Sequence, residues 1–151
     1  MEKILIAFDH RGESLAQHLK QILEKEGHGV SMGESHDGDD YVDNAIPAIQ
    51  AVKNKKADRA ILICGTGVGM AIVANRFEGV FAVHAKEPAE AHFARMHENA
   101  NVLVLGAGYD DDKFSVKMSK QKAVAIVNAF LTSEFEGGRH ERRIRKVNKL
   151  K

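Results

Sequence analysis

The segment Ile61-Leu62-Ile63-Cys64-Gly65-Thr66-Gly67-Val68-Gly69-Met70 carries a thiol from the end of an apolar run into a glycine-rich turn, and a helical pattern from Ala71 to Arg76 follows at once. Backbone N–H groups left free at such a turn stabilise anions and lower a thiol's pKa. The order strand, cysteine, glycines, helix therefore sets a base or nucleophile beside an oxyanion site. Two plainer readings stand next to it. A dinucleotide cradle needs GxGxxG, but Met70 stands where the last glycine belongs, and Val80 to His84 runs into Ala85 with no ribose-binding acid at its end. A tight turn with Cys64 as a small buried hydrophobe needs no ligand at all.

Other residues offer complementary chemistry. Asp9-His10 joins a carboxylate to an imidazole, as acid–base sites require, although Asp9 or Ser14 capping a helix with His10 exposed explains the pair equally simply. His97 closes a helical pattern where the helix dipole favours its protonated form, and a plain capping histidine is the alternative. Arg139 and Arg143 lie one helical turn apart and suit a phosphate, or else belong to a solvated basic helix packed through Ile144, Val147 and Leu150. The remaining histidines, His18, His28, His36, His84, His92 and His140, have no metal-ligand spacing and read as surface or packing residues. Asp37-Gly38-Asp39-Asp40 and Asp110-Asp111-Asp112 read as acidic loops and helix starts, without the closing Glu of a calcium loop. Cys64 has no partner for a disulfide and lies in no metal-binding cluster, so no metal is expected.

These groups must be positioned by elements that the apolar pattern reveals. Strand-like runs at Lys3–Phe8, His28–Met32, Arg59–Cys64, Val80–His84 and Asn101–Leu105 alternate with helical patterns expected over 12–26, 43–55, 68–77, 87–97 and 113–132. Apolar stripes at Leu15, Leu19, Ile22 and Leu23, at Ala89, Phe93 and Met96, and at Ala123, Val124, Val127, Phe130 and Leu131 define the helix faces. Alternation of this kind builds a parallel sheet, and ligands then bind outside the carboxyl ends of its strands. Asp9 to Gly12, the loop to Tyr41, Cys64 to Gly67, the segment after His84 and Gly106 to Gly108 all fall there.

The 151 residues, 44% of them apolar, suit one domain, 1–151. Arg139 to Lys151 holds seven Lys/Arg against Glu141, a charge of +6 in a chain of net +1, which leaves the rest at −5. A basic tail can meet phosphate, nucleic acid or an acidic partner face. It carries no aromatic residue to stack on single-stranded bases. No apolar run approaches the ~18 residues of a membrane span, and Met1-Glu2-Lys3 leads straight into a strand, so a cytoplasmic protein is expected.

In order along nearly the whole chain, six segments resemble the type B ribose-5-phosphate isomerases and the related galactose-6-phosphate isomerase subunits. They are Asp9-His10-x-Gly12, Asp40-Tyr41, Ile63 to Gly69, Ala74-Asn75, Asn101-Val102-Leu103 and Phe135-Glu136-Gly137-Gly138-Arg139-His140. The resemblance implies a Rossmann-like α/β three-layer sandwich with a five-stranded parallel sheet, and a homodimer or tetramer with active sites at the subunit interface. It implies no metal, no nucleotide and no other cofactor. The reaction it implies is aldose–ketose isomerisation of a phosphorylated sugar through a cis-enediolate. By position, Cys64 is the base that moves the proton between C1 and C2, rather than a covalent nucleophile. Thr66 assists proton transfer at the sugar oxygens, and the amides of Gly65, Thr66, Gly67, Val68, Gly69 and Met70 hold the oxyanion. His97, reaching from the partner subunit, and Asp9 open the ring. His10, Arg139 and Arg143 grip the phosphate, with the basic segment 137–151 serving site or interface, and Tyr41 lines the pocket.

Four positions depart from that pattern. Glu98 stands where an Asn usually follows the ring-opening His and alters a substrate contact. Gly108 replaces an Arg that reaches the phosphate, Val42 a Pro, and Phe81 an Arg. The implied substrate is ribose 5-phosphate, with galactose or allose 6-phosphate behind it and a non-catalytic sugar-phosphate-binding module as a further alternative.

Overall fold

A computed structural model describes residues 1–150. Five strands, β1 (Lys3–Phe8), β2 (Gly29–Met32), β3 (Arg59–Cys64), β4 (Ala82–His84) and β5 (Val102–Gly106), form one parallel sheet in the order β2-β1-β3-β5-β4. Helices α1 (Glu13–Lys25), α2 (Tyr41–Lys53), α3 (Val68–Ala74) and α4 (Pro88–Glu98) make the crossovers; α5 (Lys120–Thr132) and α6 (Arg139–Asn148) follow. The fold is the expected α/β sandwich, its strands within one or two residues of their apolar runs.

Side chains alternate across a strand, so β3 supplies both layers of core. Ile61 and Ile63 join Ile4, Ile6, Leu103 and Leu105 under α1, α4 and α5. Leu62 and Cys64 face the other way, into a core with Ala45, Ala48 and Ile49 of α2 and Met70 and Ala74 of α3. Leu15, Leu19 and Leu23 bury one stripe of α1 as their spacing requires. Asp40 starts α2 with a capping box: its Oδ1 accepts the Val42 and Asp43 amides, while Asp43 accepts the Asp40 amide. That cap puts Tyr41 at the first helical position. Asn75 sends its side-chain amide to the Ala82 carbonyl at 3.0 Å and accepts the Ala82 N–H at 2.9 Å, so it pairs with the short edge strand β4 as a neighbouring strand would.

Two expectations need correction. The helix expected over 113–132 begins only at Lys120, and an antiparallel hairpin, β6 (Gly108–Asp110) and β7 (Ser115–Lys117), precedes it. Asp111 Oδ1 accepts the Lys113 and Phe114 amides and closes the hairpin turn, and Phe114 and Val116 are exposed, so no helical face is buried there. On α4 the buried residues are Ala91 and Arg95, whereas Ala89 and Phe93 face solvent. Besides the small Ala91, α4 buries the Arg95 side chain. Its guanidinium donates to the Asn99 side chain and the Ala100 carbonyl and lies over the Phe130 ring. Burial, then the charge of Arg59, lowers its pKa to about 10.

Candidate active site

Strand order reverses between β1 and β3, and the crevice at their carboxyl ends is where an open α/β sheet binds ligands. The chain leaving β1 is tied to β3 there: the Asp9 N–H donates to the Ile63 carbonyl at 3.1 Å. Asp9 Oδ1 then accepts the Arg11 and Gly12 amides, folding the Asp9–Gly12 loop into the start of α1. Gly12 passes so close to β3 that a Cβ would meet the Ile63 carbonyl at 2.5 Å. Gly12 itself is the N-cap residue of α1 and no side chain caps the helix, so Asp9 shapes the loop and Ser14 is no cap. His10 is exposed.

Cys64 ends β3 with 4% exposure, and its Sγ accepts the Gly67 N–H at 3.2 Å. The expectation of a lowered thiol pKa does not hold in the protomer. Burial pushes the Cys64 thiol up, and the negative charge of Asp9 adds to it. The amides of Gly67, Met70 and Thr66 pull the other way without overcoming burial. The turn also serves its own side chain, because the Val68 N–H donates to Thr66 Oγ1 at 3.2 Å.

The glycines report what crowds this turn. Gly67 has φ +83°, and a Cβ on it would stand 2.5 Å from His84 Nε2. His84, at the end of β4, therefore lies against the turn, although the sequence read it with the surface or packing histidines. Burial, then the charge of Lys86, lowers its pKa, opposed by a hydrogen bond to the Thr66 backbone. A Cβ on Gly69 would stand 2.6 Å from the Tyr41 ring, which places Tyr41 against the first turn of α3. Over Gly65 lie Arg11 and Tyr109, the Arg11 guanidinium 4.5 Å from the ring centroid. Gly108, with φ +147°, occupies a conformation that side-chain-bearing residues avoid, so the missing arginine at 108 is built into the backbone. Two open clefts flank the hairpin. One of about 410 Å³ is lined by Arg11, Gly108 and Tyr109, and one of about 280 Å³ reaches Thr66 and His84 beside Lys86, Lys117 and Lys122.

The other expected residues stand elsewhere. Helices in such a sheet run opposite to the strands, so His97, at the end of α4, lies near the amino end of β5, while Cys64 is level with Gly106 at its carboxyl end. The length of β5, about 13 Å by strand geometry, separates the two levels. The C-terminal segment joins His97, not Cys64: the Glu136 N–H donates to the Met96 carbonyl at 3.0 Å. His97 and His140 stack with ring centroids 4.3 Å apart and planes 14° from parallel, and Phe93 packs on His97 at 5.2 Å. His140 is buried, whereas Arg139, Arg143 and Glu98 are exposed. Val147 and Leu150 are exposed as well, so α6 packs through His140 and Ile144 rather than through those two residues. Sequence spacing could not pair Glu136 and His140 with His97, because only the packing of α6 on α4 brings them together.

One protomer thus carries Asp9, His10, Tyr41, Cys64 and Thr66 at one end of its sheet and His97, Glu98, Arg139 and Arg143 at the other. Among the described residues no helix is long and apolar enough to cross a membrane.

Comparison with known proteins adds a family to this geometry. Residues 4–147 match the ribose/galactose isomerase family. The chain is 40% identical over 148 residues to the probable ribose-5-phosphate isomerase B of Mycoplasma genitalium, covering 95% of this chain and 92% of that one. It is 35% identical over 152 residues to ribose-5-phosphate isomerase B of Escherichia coli, covering 99% and 97%. The crystal structure of the Mycoplasma genitalium enzyme with bound ribulose-5-phosphate superposes with a TM-score of 0.85 at 38% identity, over 97% of this chain and 94% of that one.

Proposed function

The chain belongs to the ribose/galactose isomerase family and is a sugar-phosphate isomerase, and on that premise we propose that it interconverts ribose 5-phosphate and ribulose 5-phosphate at sites each assembled from two protomers. The observation that carries this reading is the buried Cys64 sulfur, held by the Gly67 amide beside Asp9 at the sheet's switch point.

Isomerisation removes a proton alpha to a carbonyl, which needs a base there and stabilisation of the charge that builds on the oxygen. The Cys64 thiolate takes the proton from C2 and returns it to C1. While charged, the sulfur is held by turn amides. As it accepts the proton its charge passes to the enediolate oxygen, and the amides between Gly65 and Met70 turn to that new anion. Thr66 passes the proton between the two sugar oxygens. Asp9 and the partner's His97 open the ring. His10 with the partner's Arg139 and the partner's Arg143 takes the phosphate, whose binding energy holds the open chain in register. Tyr41 forms a wall of the pocket.

The need for a partner follows from the separation of the two ends. A two-fold axis that applies the His97 end of one protomer to the Cys64 end of the other completes both sites at once. Exposed apolar side chains fit such an interface: Val68 and Ile72 on α3, Phe93 beside His97, Val147 on α6 and Leu150 just beyond its end.

A six-carbon sugar phosphate is the second reading. It draws on Glu98 beside His97 and on the space left at Gly108, where a Cβ would meet only the Val116 carbonyl at 3.6 Å. The test is a coupled assay of ribose 5-phosphate, allose 6-phosphate and galactose 6-phosphate. The ribose ester is expected to turn over fastest, and Cys64→Ala to lose about 10²–10⁴-fold in rate while still binding it. Failure to isomerise any of the three contradicts the reading, and normal turnover by Cys64→Ala removes Cys64 from the mechanism.

A further inference from the structure

We propose that His97, Glu136 and His140 form a binding site for a divalent transition metal of the zinc type, and that filling it stops the isomerase by engaging His97. The second half rests on the ring-opening role given to His97 above. One ligating atom from each residue lies within 4.8 Å of the other two. Two imidazoles and one carboxylate form a donor set suited to zinc, with a fourth position left for water or another ligand.

His140 supplies the independent support. Its residue is 4% exposed, yet Nε2 has no hydrogen-bond partner. The Glu136 carboxylate oxygen stands 3.7 Å away, beyond hydrogen-bond reach. A buried polar atom without a partner calls for an explanation, and an ion between these groups provides one. Glu136 offsets the repulsion of an incoming cation by Arg139 and Arg143. Tetrahedral zinc sets its ligand atoms about 3.4 Å apart, so the site closes through small movements of the half-exposed Glu136 and of His97 against a fixed His140. The His97 ring leaves the stack as it turns its edge to the ion. A His97 nitrogen bound to metal cannot exchange a proton with a sugar oxygen.

The experiment titrates chelator-treated, desalted protein with zinc chloride by calorimetry, in parallel with turnover. The expected result is one zinc ion per chain, retained in Cys64→Ser and weakened at least about tenfold in both Glu136→Gln and His140→Asn. Magnesium should not compete. Glu136 is exposed and bears no part of the catalysis, so Glu136→Gln keeps the fold and the metal-free activity but needs correspondingly more zinc for inhibition. Absence of binding, binding unchanged in both ligand variants, or binding lost in Cys64→Ser overturns the site. Tight zinc binding at the triad with undiminished turnover leaves the metal site standing and overturns the link to His97.

Discussion

Gly67 aims its amide at the Cys64 sulfur from 3.2 Å, and at φ +83° it does so in a conformation that leaves no room for a side chain beside His84. The basicity of the thiol is the balance between that amide, with those of Met70 and Thr66, and the burial that opposes ionisation.

Burial wins that balance, so kcat/KM is expected to climb with pH through the ordinary thiol range rather than level off below it. Stability moves the opposite way. The folded chain holds the Cys64 proton more tightly than the unfolded chain, so this contribution is full below the unfolded pKa and is lost as pH rises towards the folded one. Denaturation midpoints of wild type and Cys64→Ala, compared from about pH 8 to about pH 10, should show wild type losing stability relative to the variant. A difference that stays constant over that range contradicts the raised thiol pKa.

Gly67→Ala places a Cβ in the left-handed region at a cost of about 1–2 kcal/mol, before its approach to His84 Nε2 at 2.5 Å and to the Gly106 amide at 3.1 Å is counted. The melting temperature should fall by at least about 3 °C, and turnover should fall with it as the amide leaves the sulfur. A variant that melts and turns over like wild type removes the turn's geometry from the account.

The apolar runs made β1, β3 and β5 legible because each is a continuous apolar run whose residues are buried almost throughout in β3 and β5 and mostly in β1, and the Asp9 and Cys64 ends of β1 and β3 were legible with them. The helix expected from residue 113 was not, because Asp111 closes a turn and the flanking Phe114 and Val116 are exposed and give a helix no buried face. The stripe Ala89, Phe93, Met96 misled for a related reason: a buried arginine, Arg95, takes the core-facing place that an apolar residue usually holds. The thiol's environment also lay outside the reach of the motif, which reveals amides but not the packing of α2 and α3 over the sulfur. The grouping of His97, Glu136 and His140 depends on α6 folding back onto α4, which no local spacing records.

Glu98 sets an exposed negative charge next to His97 in the part of the site expected to meet an anionic substrate. Glu98→Asn should raise kcat/KM for ribose 5-phosphate several-fold at low ionic strength, with the gain shrinking as salt screens the charge. A gain that appears only with a six-carbon ester would favour the second substrate reading. No change with any ester removes Glu98 from the substrate's surroundings.

The central claim is that the Cys64 end of one protomer works with the His97 end of another. Cys64→Ala and His97→Asn protomers, each strongly impaired alone, can be unfolded together, refolded as a mixture and assayed with ribose 5-phosphate. Random pairing produces mixed dimers with one intact site, so the mixture should recover about a quarter of wild-type activity. A mixture no more active than the two variants measured separately contradicts the shared site.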